Sequence, residues 1–108
     1  MAQEYICLKK TNEIGSIAIN KKVFESIARI EIGEDETQFV PDSSRFKNAV
    51  NCKISKDELV LNVDLKVNYQ LNVNEICSRL QDKIYHSILH MTGVKMDLID
   101  IKVTGFIF

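Results

Sequence analysis

From Phe46 to Val67, apolar and polar residues alternate in two runs broken by Ser55-Lys56-Asp57-Glu58, and this period of two constrains the fold more than any other feature. Successive side chains of a strand point to opposite faces, so each run is a strand with one buried face and the pair is a hairpin. Its register has an internal check. Pairing Ile54 with Leu59 also pairs Cys52 with Leu61, Val50 with Val63 and Phe46 with Val67, all on one side. A slip of one residue would turn the whole apolar set outward. Asn48 is the polar exception on that face and calls for a hydrogen-bond partner or a place at the sheet's end.

A sheet with one apolar face needs a cover, and two helical patterns supply it. Val23, Ile27 and Ile30 recur at helical spacing with Phe24 and Ala28 beside them, directly after Asn20, whose side-chain oxygen suits an N-cap. A first helix is expected from Lys21 until Gly33 stops it. In the second pattern Val73, Ile76, Cys77, Leu80, Ile84, Ile88 and Met91 form a continuous stripe. That helix opens after Asn72 or Asn74, with Glu75 in its first turn, and Gly93 suits the left-handed position that ends helices.

Two further strands are expected, one at Gly15 to Ile19 with Ile17 and Ile19 on one face, and one at Ile99 to Thr104 with Ile99, Ile101 and Val103 turned inward. Residues 1–13 read as an N-terminal arm, irregular or with a short strand at Tyr5 to Leu8. Residues 14–108 read as one domain, and the polar stretch 33–45 as an exposed loop. The order is β-α-β-β-α-β. The fold class is therefore α+β, a two-layer sandwich with a four-stranded sheet and two helices on one face. Ferredoxin-like split βαβ folds share that order.

Composition narrows the function classes. Fourteen basic and fifteen acidic residues leave a formal charge of −1, without the positive excess that draws phosphate backbones or anionic lipid. Nucleic acid is not the expected partner. The first ten residues lack a basic region followed by an apolar one, and no run approaches ~20 apolar residues, so the chain is expected in the cytoplasm. Cys7, Cys52 and Cys77 are odd in number and widely spaced, which suits free cysteines in a reducing compartment, two of them on core faces.

Several motifs recur in a set order. Gly15-x-Ile17-x-Ile19 precedes a helix with Ile27-Ala28; a Leu-x-Val-x-Leu-x-Val-x-Tyr run spans Leu61 to Tyr69; Gln81 lies in the second helix; Met91-Thr92-Gly93-Val94 follows; and Ile-x-Val-x-Gly-Phe closes from Ile101 to Phe106. Over roughly residues 14–108 this set resembles the alkaline shock protein family. The resemblance implies a small, non-enzymatic bacterial protein of cell-envelope stress and homeostasis, cytoplasmic and in some members held at the inner face of the membrane by a partner protein. It brings no catalytic motif, cofactor or site residue. The acidic stretch 33–45 departs from the family's shorter, more apolar Gly-Val junction.

The residues themselves offer few sites. Asp82, His86 and His90 stand four apart on one helical ridge and are the best metal candidates, but Arg79 and Lys83 flank them, and a solvated helix face is the expected reading. No Ser or Cys sits beside a His as a nucleophile and no Gly-rich phosphate loop occurs, so the chain is not expected to be an enzyme or to hold a cofactor or metal. If Ile99, Ile101 and Val103 face the helices, continued alternation sends Phe106 and Phe108 to the open face beside Val60, as a surface for a protein partner, a membrane protein or a second copy. The same two rings on an open sheet would also serve a small ferredoxin-like RNA-binding or ligand-binding regulator, the alternative reading.

Overall fold

The computed structural model describes residues 3–8, 14–35, 37–42, 49–56 and 58–108. In chain order its elements are β1 (Tyr5–Cys7), β2 (Ala18–Asn20), α1 (Lys21–Gly33), β3 (Phe39–Pro41), β4 (Val50–Ser55), β5 (Glu58–Asn68), α2 (Val73–Thr92) and β6 (Leu98–Ile107). The hairpin has the expected register: Ile54 pairs with Leu59, Cys52 with Leu61 and Val50 with Val63. Those six side chains are all at most 2% exposed. Ser55 pairs with Glu58 across the tight turn, where Lys56 is held at φ 51°. Left-handed backbone strains a residue bearing Cβ, so Lys56→Gly is expected to stabilise the fold by about 0.5–1 kcal/mol, read as a raised midpoint in urea.

The stretch 33–45 is not wholly a loop. Phe39 pairs with Val67, the place expected for Phe46, and is 5% exposed. β3 and β4 thus lie along the same edge of β5, with Asp42 N–H donating to the Asp64 carbonyl and Asp64 N–H donating to the Ala49 carbonyl. Along this edge the described residues end at Asp42 and resume at Ala49; Phe46 and Asn48 lie outside the described residues. Asp42 is 4% exposed and accepts a hydrogen bond from Thr104 Oγ1 at 2.6 Å, which ties β3 to β6 across β5.

On its other side β5 pairs with β6, and these strands run parallel, joined through α2. The α+β class therefore stands, but the ferredoxin-like arrangement does not. A split βαβ unit has a strand between its two parallel strands, and none separates β5 from β6. The expected first strand is also elsewhere: Ala18–Asn20 pairs with Tyr5–Cys7 in a separate two-stranded ribbon. Ile17 is 60% exposed, while Ile6 and Ile19 pack against the core.

Both helices start at the expected caps. Asn20 Oδ1 accepts from Lys22 N–H, and Asn72 Oδ1 from Glu75 N–H, each cap contributing about 1 kcal/mol. Gly93 ends α2 at φ 74°. The buried stripe of α2 is Ile76, Leu80, Ile84 and Ile88; Met91 falls outside it, 62% exposed. On α1 the buried residues are Phe24, Ile27, Ala28 and Ile32, whereas Val23 and Ile30 are 41% and 59% exposed. The helix is thus rotated from the phase that Val23 and Ile30 imply. Both stripes join one cluster with the inner face of β3, β4 and β5, leaving the opposite face open.

Candidate interaction surface

The last strand decides where the exposed aromatic residues lie. Leu61, Val63 and Leu65 pair with Ile99, Ile101 and Val103, but the register then shifts: Lys66 pairs with Gly105 and Val67 with Phe106. Thr104 is the extra residue of a β-bulge, and a bulge reverses the alternation beyond it. Paired residues share a face, so Phe106 lies on the side of Val67, the helix side. Gly105 confirms the parity, since a Cβ built there would stand 3.7 Å from the Lys66 side chain.

Phe106 and Phe108 are therefore not on the open face with Val60, which pairs instead with Leu98 and Lys53. The expected three-residue surface divides in two. At the end of the sheet Phe108 packs on Tyr69, ring centroids 5.1 Å apart, and Phe106 meets Phe108 edge-on at 6.5 Å. Tyr69, Phe106 and Phe108 are 53%, 47% and 92% exposed, and none belongs to the core or to the residues packed against it. Tyr69 is a member not expected from the sequence. Its signal was its place two residues beyond Val67 in the alternating run.

The open face carries Asn62, Asp64 and Lys66 of β5 with Asp100 and Lys102 of β6. No described residue of the sheet's open face is aromatic. A base-stacking platform there has lost the two rings on which it depended.

The ridge of α2 does not converge on a metal site. His86 Nδ1 lies 2.7 Å from the backbone carbonyl oxygen of Asp82, to which a protonated Nδ1 donates. Among the described residues no group of three His, Cys, Asp or Glu side chains gathers. Asp82 and His86 instead line a shallow groove of about 430 Å³ between α2 and the start of β6, together with Met96 and Ile99. Gln81 also lines it, Nε2 donating to the Ile99 carbonyl at 2.9 Å.

Of the cysteines, Cys7 is exposed, Cys52 is buried and Cys77 is half-buried. Burial, with the Glu25 carboxylate nearby, pushes the Cys52 thiol up to about 11, and burial also raises that of Cys77. Neither is a thiolate at neutral pH, as a reactive cysteine would be.

The model of the alkaline shock protein 23 family, described by a cell envelope-related function, matches residues 34–108. The chain belongs to this family. The match bears out the resemblance of Gln81, Met91-Thr92-Gly93-Val94 and the closing strand, and it begins just after α1, later than the motifs around Gly15 imply. No curated protein and no solved structure matches the chain. As a member of the alkaline shock protein 23 family, the chain has a cell envelope-related role. Among the described residues, no helix is long and apolar enough to cross a membrane. The aromatic end of the sheet, carried by Tyr69, Phe106 and Phe108, lies within the matched range.

Proposed function

We propose that this alkaline shock family chain is a non-enzymatic protein-interaction module of the cell-envelope stress response or homeostasis. It works in the cytoplasm, is recruited to the inner face of the cell membrane by a protein partner, and associates with itself. The observation that carries this reading is the cluster of Tyr69, Phe106 and Phe108, three rings held outside the core at one end of the sheet. Exposed neighbouring aromatic side chains supply large, rigid contact area and are enriched at the cores of protein interfaces, with Tyr also enriched in binding hot spots. The family's envelope-related function supplies the setting.

The test is genetic and structural together. In cells lacking the protein, Phe106→Ser with Phe108→Ser is expected to leave the envelope defect uncorrected, while the wild-type chain restores growth under alkaline or wall-targeting stress. The double variant should fold, with stability within about 1 kcal/mol of wild type, because it removes exposed rings. Full correction by the double variant would remove the aromatic end from the function.

A further inference from the structure

The two outer edges of the sheet differ. Along β5, Asp64 and Asn68 bond toward the β3/β4 side, whereas Leu59 bonds toward Asp97 at the start of β6. Backbone groups alternate along a strand, so Leu98, Asp100 and Lys102 bond inward to β5, and Ile99, Ile101 and Val103 turn their N–H and C=O groups to the outer edge. The outer edge of β4 is covered by its own chain: Glu25 accepts from Cys52 N–H at 2.8 Å, and Gln3 N–H donates to the Ile54 carbonyl. On β6, among the described residues, only the Ile99 carbonyl has such cover, from Gln81. Long open edges of this kind pair with another strand unless something blunts them.

We propose that two copies of this chain pair antiparallel along the outer edge of β6, about a two-fold axis through Ile101. This deepens the self-association in the reading above and names its surface. The axis places Ile101 against Ile101 of the second copy and Ile99 against its Val103, with edge N–H and C=O groups facing their complements; the Ile99 carbonyl, which accepts from Gln81, takes the second hydrogen bond on its other lone pair. It also places Asp100 against Lys102 of the second copy on the open face, twice by symmetry, where opposite charges directly across strands attract. A shift of the axis to Asp100 or Lys102 would set like charges against each other. The apolar layer needs this cover as well. Leu61, Val63 and Leu65 are wholly buried, but their partners Ile99, Ile101 and Val103 are only half-buried at the open edge. The bulge at Thr104 ends the straight run, so pairing covers Leu98 to Thr104 and leaves Tyr69, Phe106 and Phe108 free.

Sedimentation equilibrium of the full chain tests this. The wild type is expected to be a dimer. Asp100→Lys and Lys102→Asp, both at exposed positions, should each weaken it by roughly tenfold or more, and the double exchange should restore it. Independently, Ile101→Cys in a Cys7→Ser background should form a covalent dimer on oxidation, because residues in a hydrogen-bonded antiparallel pair stand ~5.5 Å apart at Cα, within disulfide reach. A monomeric wild type, a dimer indifferent to both charge reversals, or no disulfide at Ile101→Cys would overturn the proposal. A monomer that still engaged a protein through Phe108 would sink the dimer and leave the interaction module standing. A charge-dependent dimer that recruited nothing would do the reverse.

Discussion

Phe24→Ala is expected to lower the unfolding free energy by about 3–5 kcal/mol, the range for deleting a fully buried aromatic side chain. Phe24 is wholly buried and stands in one cluster with Ile27 and Ile32 of its own helix, Val50 of β4 and Ile84 of α2. The residual cavity would open between helix and sheet, where close packing leaves little room to relax. A domain of this size has a total stability of only about 5–15 kcal/mol, so the midpoint should fall by roughly 15 °C or more. Ile30→Ala is the matched control. Ile30 is 59% exposed, and its truncation should change stability by no more than about 0.5 kcal/mol. Equal effects at the two positions would mean that α1 is rotated from its place here. A negligible effect at Phe24 would mean that α1, which lies before the family match, is not part of the folded unit.

Alkaline pH should destabilise the fold in part through Cys52. Its thiol is pushed up to about 11 from 9.0, mainly by burial, and its side chain has no exposure. Between those values the unfolded chain loses this proton while the folded one keeps it, so stability declines as pH rises. Fully present below pH 9, the contribution is lost by up to about 1.4 kcal/mol per pH unit, and the loss reaches about 2 kcal/mol by pH 11. Tyrosine and lysine titrations overlap this range, so the measurement is the difference between wild type and Cys52→Ala in urea denaturation at pH 8, 9.5 and 11. Wild type should lose stability faster than the variant as pH rises. Parallel declines would show that the thiol ionises in the fold without penalty.

Sequence periodicity specified the hairpin because two strands had to agree on one register. The paired identities of Val50, Cys52 and Ile54 with Val63, Leu61 and Leu59 admit no slip. The helix ends were legible for a chemical reason: Asn20, Asn72 and Gly93 each suit a terminus better than an interior position. The phase of α1 was not legible. Val23, Phe24, Ile27, Ala28, Ile30 and Ile32 surround much of the helix with apolar groups, and spacing alone cannot choose between stripes. β3 was missed because three residues are too few to show a period, and it forms by continuing the β4 edge along a long partner.

The candidate site shows the same limit. Phe106 and Phe108 were recognisable as surface aromatic residues, but their face depends on one residue, Thr104, that the ladder skips. A bulge leaves no mark in a pattern of alternation. Its supports, the Asp42 carboxylate and the Leu65 carbonyl, come from elsewhere in the sequence and are visible only in the fold. The same shift brings Tyr69 into the cluster and takes Val60 out of it.

The most direct test of the interaction reading is photo-crosslinking in living cells, with a benzophenone amino acid placed at Phe108 and, separately, at Lys53 on the open face. An adduct with a membrane protein is expected from position 108, lost when Phe106 is also changed to Ser, and none from position 53. The same adduct from both positions, or only nuclease-sensitive RNA that disappears at high salt, would contradict it.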